Sequence, residues 1–239
     1  MPEALIGLAL GYVVGIVLIS VVAAATRHGG HSSTYGENVA SLFGLWTGLL
    51  GAVLAVSASA HRSEPARRPL AERLRDDFGL AFVWTDVPLG IAIGLGAQYL
   101  LVPLLELPLV PFVPNLSHRL SQPAQQLTGG VHGPGIVFLA VLICCGSPLV
   151  EELFFRGLLL RAMLRVFARA GRLFGPLLGT VVTGVLFGLA HAEWLQLAGL
   201  AAFGVVLSVM AWRLDRLGPC ICAHAVFNLV AVLSVATGR

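Results

Sequence analysis

Six polar side chains of this apolar chain have types and spacings that suit hydrolytic chemistry. They lie within or at the edges of apolar runs: Glu151, Glu152, Arg156, His191, His224 and Asn228. An ionisable group in the middle of a membrane costs at least about 2.5–3.5 kcal/mol on insertion scales, so such groups mark function by default. Their grouping therefore predicts one functional centre rather than scattered structural contacts.

The first group is a pair of adjacent carboxylates followed by an arginine. On a helix, neighbouring side chains point about 100° apart, so one carboxylate can face a cavity while the other finds a different partner. Glu152 and Arg156 have the spacing of an intrahelical ion pair. Glu151 is then the freer carboxylate, and partial removal from water makes a carboxylate a better base. We expect Glu151 to take a proton from water.

The other two groups supply imidazoles and an amide. His224 and Asn228 are one helical turn apart, and N–H groups that converge on one point stabilise an oxyanion. His191 adds a second imidazole, on a helix that Gly184 and Gly188 make thin. Taken alone, His191 is more often a hydrogen-bonded structural residue, and Asn228 is often a link between helices. The glutamate pair has the weaker structural explanation, because its burial needs a partner or a reaction.

The composition predicts that these side chains are carried by membrane helices. Hydrophobic residues make up 57% of the 239 residues, charged residues make up 11%, and the mean hydropathy is +0.88. A soluble domain is nearer about 45–50% apolar and about 25% charged. This excludes a cytosolic enzyme, a disordered chain and a nucleic-acid-binding module. All 15 cationic side chains are arginine, and the Ala- and Gly-rich composition favours a bacterium of high genomic G+C content.

Seven apolar stretches approach the roughly 20 residues that cross a bilayer core. They are Ala4–Ala25, Asn38–Ala60, Asp86–Leu107, Pro134–Val150 continuing into Glu152, Phe174–His191, Leu195–Trp212 and Leu217–Ala236. The prediction is an all-α polytopic bundle of about seven spans, with six and eight as alternatives, in a single domain over residues 1–239. The first span is predicted to be a retained anchor, because it is longer than a signal-peptide core and no cation precedes it.

Arginine placement predicts the orientation. Eleven of the 15 arginines lie in the connectors after the second, fourth and sixth spans, and cytoplasmic loops are enriched in positive charge. We expect the N-terminus inside, the C-terminus outside, and water access from the side of these connectors. Pro65–Phe82 fits equally an amphipathic surface helix, with Leu70, Leu74 and Phe78 in one stripe, and a charged connector. Leu107–Gly133 predicts an external loop without chemistry.

The cysteines and the regularly spaced glycines are predicted to serve the packing of the helices. The cysteines lie in apolar runs, where packing is favoured over disulfide, metal or redox chemistry: Cys144, Cys145, Cys220 and Cys222. Glycines four residues apart predict close helix contacts within the bundle: Gly7, Gly11 and Gly15; Gly44 and Gly48; Gly90 and Gly94; Gly184 and Gly188.

The predicted limits of the spans conflict with the prediction that these polar residues form a single functional centre. At about 1.5 Å per residue they place Glu151 near the cytoplasmic face and His191 about 24 Å from it. Catalytic partners cannot be that far apart. Either the fifth span begins well inside the cytoplasm, or the fourth is displaced or tilted, or one boundary is wrong.

The three motifs together resemble those of a known family. Glu-Glu-x-x-x-Arg at 151–156, Phe-x-x-x-His at 187–191 and His-x-x-x-Asn at 224–228 are similar to the CPBP (ABI) family, which contains the type II CAAX prenyl endopeptidases. The resemblance covers Pro134–Ala236. It implies an intramembrane, glutamate-dependent endopeptidase with four catalytic and two supporting residues. In it, Glu151 is the general base, His191 holds the water, His224 and Asn228 donate to the oxyanion, and Glu152 supports with Arg156.

The sequence indicates the cofactor and the substrate less directly than it indicates the catalytic residues. Family members are often labelled metalloproteases, but His-Glu-x-x-His is absent here, and Glu151, His191 and His224 would ligate zinc only if their helices converge suitably. No cofactor is therefore favoured, with zinc as the alternative. The expected substrate is a membrane-anchored, lipidated or hydrophobic protein or peptide in a bacterial cell membrane. Bacteriocin or peptide maturation, self-immunity and cleavage of a membrane regulator are the expected tasks.

Two other functions remain open at this point. One is a non-enzymatic membrane protein, such as a transporter, a proton relay or an immunity scaffold, because a Glu–His series can also move protons. The other is a family member that has lost activity. The pair His224 and Asn228 favours an enzyme, since a relay has little use for two convergent donors. The sequence does not predict the oligomeric state.

Overall fold

The structure, a computed structural model, describes residues 2–26, 34–61, 68–128 and 134–237. Regular elements within these residues are all helical. In chain order they are α1 (Pro2–Thr26), α2 (Thr34–Ala60), α3 (Leu70–Phe78), α4 (Asp86–Leu109), α5 (Leu116–Thr128), α6 (Pro134–Val166), α7 (Phe174–Ala190), α8 (Leu197–Leu214) and α9 (Gly218–Thr237). A short 3-10 turn, Ala168–Ala170, follows α6.

The helices confirm an integral membrane bundle. Of the described residues, five helices are long and apolar enough to cross a bilayer: α2 from Tyr35, α4, α6, α8 and α9. Two shorter apolar helices, Val13–Ala23 within α1 and the 17-residue α7, accompany them. Together these match an all-α bundle of about seven spans.

The fourth span is longer than predicted, and this resolves the depth conflict. It does not end near Glu152 but runs as α6 to Val166, so Glu151 lies in the middle of a helix. The Nη2 atom of Arg161, on this helix, lies 2.8 Å from Oδ1 of Asp215, which caps α8. The conflict concerned His191, and in the structure its Nε2 atom lies 3.9 Å from Oε2 of Glu151.

One end of the bundle is fixed by a buried carboxylate. Asp86 is fully buried, accepts hydrogen bonds from Nε of Arg216 at 3.0 Å and the backbone N–H of Val83 at 2.9 Å, and pairs with Nη2 of Arg216 at 2.9 Å. We call this end, which carries Arg161, Asp215 and Arg216, the arginine end. The opposite end carries α5 and is called the α5 end.

The segment after α4 is not the loop that its composition predicted. Within Leu107–Gly133, residues Leu116–Thr128 form α5, with Pro123 inside the helix. The apolar residues Leu116, Leu120 and Ala124 recur every fourth position, which is helical spacing. The Nε2 atom of Gln196 donates to the Leu120 carbonyl oxygen at 2.7 Å and ties α5 to the start of α8. The loop prediction was therefore wrong, because it relied on the content of Pro and Gln rather than on the spacing of the apolar residues.

The amphipathic connector contains a helix, although a shorter one than Pro65–Phe82. It is α3, which ends at Gly79 with φ of +75°, a conformation that favours glycine. Phe78 is buried against Gly157 of α6, and Leu74 packs on the core. Two of the three residues of the predicted stripe, Leu74 and Phe78, thus face the protein, whereas Leu70 is exposed. Residues 65–67 of the predicted segment lie outside the described residues.

Two of the predicted glycine pairs, those of α4 and α7, are confirmed as packing sites inside the bundle. Gly90 and Gly94 of α4 leave no room for a side chain against Cys222 and Ala223 of α9. In the same way Gly188 of α7 contacts the backbone of α8, as Gly184 does. The four cysteines are free thiols, as predicted, with Cys144 and Cys220 buried.

Candidate active site

The structure brings the six predicted polar residues to one region in the middle of the bundle. Glu151 and Glu152 lie on α6 between two π-helical turns, Leu142–Gly146 and Leu153–Leu160. His191 follows the last residue of α7. The other members, His224 and Asn228, lie on α9. Three helices therefore contribute, and none of the six residues is displaced from the cluster.

Glu152 contacts two other buried polar side chains of the site, Arg156 and His224. Its Oε1 atom lies 2.8 Å from Nη1 of Arg156, which confirms the predicted intrahelical ion pair. The same oxygen lies 2.8 Å from Nδ1 of His224, a contact that the sequence did not predict. Glu152 is fully buried, and Arg156 and His224 are almost so. The carboxylate thereby holds the imidazole of His224 in one orientation.

Arg156 is held on its other side as well. Its Nη2 atom donates to the carbonyl oxygen of Gly204 at 3.0 Å, and its guanidinium carbon lies 4.4 Å from the ring centroid of Phe187. The Phe187 ring also contacts His191, at 4.6 Å between centroids, and His224, at 5.5 Å. A single aromatic ring therefore fixes the arginine and both imidazoles. Because phenylalanine is apolar, the sequence did not indicate this role, apart from the position of the residue in the Phe-x-x-x-His motif.

His191 has a defined tautomer. Its Nδ1 atom is 2.8 Å from the carbonyl oxygen of Phe187. Because a carbonyl oxygen only accepts hydrogen bonds, Nδ1 must carry the proton. In the neutral ring Nε2 is then an acceptor, and it lies 3.9 Å from Oε2 of Glu151.

Glu151 is the carboxylate that its neighbours leave free. Its Oε2 atom is buried and has no hydrogen-bond partner among the described residues. It lies 3.9 Å from Nε2 of His191 and 4.0 Å from Nε2 of His224. These separations are too long for direct hydrogen bonds, yet one water molecule with arms of about 2.8 Å spans them. The arrangement suits a carboxylate that acts through water.

Asn228 makes a contact that the sequence did not predict. Its Nδ2 atom donates to the carbonyl oxygen of Ile143 at 2.9 Å, within the first π-helical turn of α6. This hydrogen bond ties α9 to α6. A carboxamide has two N–H donors, so the second one remains for chemistry.

A cavity of about 390 Å³ leads to this cluster from the α5 end. Its inner lining includes His191, His224 and Asn228, and its outer lining includes residues of α4 and α5. The sequence predicted access from the side of the arginine connectors, and this cavity approaches from the opposite end. Most of the lining is apolar, which is typical of a small-molecule or peptide site.

The donor set does not fit a metal ion well. Among the described residues, no three His, Cys, Asp or Glu side chains are placed to hold one. Tetrahedral zinc ligands at about 2.0–2.1 Å from the ion lie about 3.3 Å apart. The corresponding distances from Glu151 to the two imidazoles are 3.9 and 4.0 Å. Metal independence stays a prediction that chelation can test.

Comparison with known proteins supports the motifs. No curated protein and no solved structure matched the chain. Residues 133–230 match the family model described as Type II CAAX prenyl endopeptidase Rce1-like. This segment, less than half of the chain, contains all six site residues and supports a membrane protease of the CAAX type. The match confirms, over residues 133–230, the similarity to the CPBP family that the three motifs indicated.

Proposed function

We propose that the protein is an intramembrane endopeptidase that hydrolyses peptide bonds with a water molecule activated by Glu151. The observation that supports this most is the buried, unpartnered Oε2 of Glu151 facing two imidazole nitrogens at 3.9 and 4.0 Å. A carboxylate with no partner in a membrane interior is expensive. Its retention is explained if it takes a proton during a reaction.

The two histidines have different roles in this proposal. His191 keeps its proton on Nδ1 through the Phe187 carbonyl, so Nε2 accepts one hydrogen of the water. The second hydrogen of that water points to Oε2 of Glu151. The water is thereby oriented with its oxygen lone pair toward the substrate.

His224 is assigned the opposite role, as a donor. Its Nδ1–H is directed to Glu152, so Nε2 can donate only if the ring carries a second proton. Charge balance favours this form, because the carboxylates of Glu151 and Glu152 face a single guanidinium, that of Arg156. An imidazolium at His224 makes the buried cluster neutral. Its Nε2–H and the second N–H of Asn228 can then stabilise an oxyanion.

The reaction balances with these groups alone. Glu151 takes a proton from water as the oxygen adds to the peptide carbonyl carbon. The carbonyl oxygen becomes an oxyanion that accepts hydrogen bonds from His224 and Asn228. As the C–N bond breaks, Glu151 returns its proton to the leaving nitrogen, and the products are a carboxylic acid and an amine. No metal ion or cofactor enters these steps.

The setting of this reaction is a bacterial cell membrane. Arg161, Arg165, Arg169 and Arg216 lie at the arginine end or in its connectors, so the positive-inside rule places that end in the cytoplasm. The N-terminus is then inside and the C-terminus outside. The substrate is a membrane-anchored, lipidated or hydrophobic protein or peptide, because the cavity is largely apolar.

The test is proteolysis by purified protein in liposomes, using a quenched library of hydrophobic and lipidated peptides. Cleavage by wild type should be abolished in Glu151→Gln and should persist with a chelator. Glu37→Gln, at the start of α2 and outside the cavity lining, removes the same charge and should cleave normally. Loss with chelator and rescue by zinc would overturn the metal-free chemistry. If wild type cleaves no peptide of the library, the proposal that the protein is a protease is overturned.

A further inference from the structure

Helix α4 presents to the cavity a stripe of residues that includes two polar side chains, and the proposed chemistry uses neither of them. Gln98, Val102 and Glu106 all line the cavity and recur every fourth residue. Although Gln98 lies in a π-helical turn, Ala97–Leu101, all three line the same cavity and so lie along one side of α4. The stripe runs from the level of the catalytic cluster toward the α5 end.

Gln98 is an acceptor that lacks a donor. Its Oε1 atom is buried and has no hydrogen-bond partner within the described part of the protein. Burying an unpaired amide oxygen costs roughly 1–3 kcal/mol in proteins. The backbone N–H of a bound peptide is a donor that would satisfy it.

The height of Gln98 follows from the packing of α4 on α9. Both helices start at the arginine end, and Gly94 packs against Ala223 and Val226. One turn beyond Gly94, Gln98 is therefore close to the level of Asn228. Glu106 is eight residues farther along α4, which is about 12 Å at 1.5 Å per residue.

Glu106 gives the outer cavity a negative charge. It is the one carboxylate among the described lining residues, and that lining includes no arginine. His118 and Arg119 are the nearby cationic candidates on α5, but both are exposed and neither lines the cavity. A cationic side chain of the substrate is the complementary partner for this carboxylate.

We infer that α4 binds the substrate chain and selects a basic residue at a fixed distance from the scissile bond. Gln98 accepts a backbone N–H close to that bond, and Glu106 pairs with the Lys or Arg side chain. An extended peptide advances about 3.3 Å per residue, so about 12 Å corresponds to three or four residues. The inference rests on the proposed function, because the catalytic cluster defines where the scissile bond lies.

The test compares peptides that differ only by lysine or norleucine at one position. Wild type should cleave the lysine peptide about tenfold better in kcat/KM when lysine is three or four residues from the cut. Glu106→Gln should remove this preference, and Glu106→Lys should shift it to peptides with glutamate at that position. Glu37→Gln, which removes a charge outside the cavity lining, should keep the preference.

A binding measurement separates this inference from the proposed chemistry. Fluorescence anisotropy with the Glu151→Gln variant reports peptide binding without cleavage. We expect the lysine peptide to bind about tenfold more tightly than the norleucine peptide. If this difference is lost when Glu151→Gln is combined with Glu106→Gln, the role of the stripe in substrate binding is supported even if wild type cleaves nothing. Equal binding of both peptides, or a lysine preference that survives Glu106→Gln, overturns it even if wild type is a protease.

Discussion

Oε1 of Glu152 and Nδ1 of His224 lie 2.8 Å apart in the membrane interior, although 72 residues separate them. The same oxygen holds Arg156 at 2.8 Å. Glu152 therefore links the ion pair of α6 to the imidazole of α9. We assign it a positioning role, because it acts on the substrate only through His224.

Removing the charge of Glu152 should weaken the reaction without preventing substrate binding. In Glu152→Gln the side chain still accepts a hydrogen bond, but it no longer stabilises a second proton on His224. We expect kcat to fall about 10²-fold with little change in KM, by analogy with the loss of one oxyanion donor. Steady-state kinetics with a cleaved peptide measure both constants.

The matched control for this change is Glu72→Gln, on the exposed side of α3. It should leave both constants within about twofold of wild type, as surface changes generally do. A rise in KM at constant kcat in Glu152→Gln would instead assign Glu152 to substrate binding and contradict the positioning role.

Truncating Arg156 should affect folding more than any other single change in the site. Arg156→Met leaves Glu152 as a buried charge without its guanidinium partner, and breaking a buried pair in this way costs about 3–5 kcal/mol. Unfolding in mixed micelles should show this loss. Arg165→Met, on the exposed side of α6, is the control and should change the free energy of unfolding by less than about 1 kcal/mol.

Asn228 should contribute to the transition state. Asn228→Ala removes the proposed oxyanion donor, and we expect kcat to fall about 10²–10³-fold with KM nearly constant. Ser234→Ala changes a polar residue of the same helix that also lines the cavity and should keep normal kinetics. Similar losses in both variants would mean that the cavity is sensitive to any change on α9, and the oxyanion role would then fail.

The motif residues could be predicted from the sequence because each is costly in a membrane. Glu151, Glu152 and Arg156 need a partner or a reaction, and the spacing of Glu152 and Arg156 identified one partner directly. Contacts between distant segments could not be predicted in this way. Nothing in the local sequence states that His224 meets Glu152 or that Asn228 meets the Ile143 carbonyl.

The limits of the fold prediction have two physical sources. Hydropathy located the apolar stretches well, but it placed the end of the fourth span at charged residues that pair with each other inside the bundle. Composition misplaced α5, because Pro123 and the glutamines suggested a loop while Leu116 and Leu120 kept helical spacing. For α5 the helical spacing of the apolar residues was the better signal.

The hydrogen bond between Gln196 and α5 should control access to the cavity. Gln196→Ala removes the contact with the Leu120 carbonyl, which is worth about 0.5–1.5 kcal/mol. Looser attachment of α5 should raise KM about two- to tenfold while kcat stays the same. Gln125→Ala removes a hydrogen bond within α5, from an exposed side chain that does not itself line the cavity, and should leave KM unchanged. A lower kcat at constant KM in Gln196→Ala would show that α5 does not govern substrate entry.

The proposed orientation predicts that the cavity faces the outside of the cell. The arginine connectors should lie in the cytoplasm, whereas the segment before α5 lies at the opposite end of the bundle. In a background with its four cysteines replaced by serine or alanine, Asn115→Cys should react with a membrane-impermeant maleimide in intact spheroplasts. Arg169→Cys should react only after the membrane is opened, since the proposed orientation places its connector in the cytoplasm. The reverse labelling pattern would place the cavity and its substrate on the cytoplasmic side and overturn the orientation, while the geometry of the site would be unaffected.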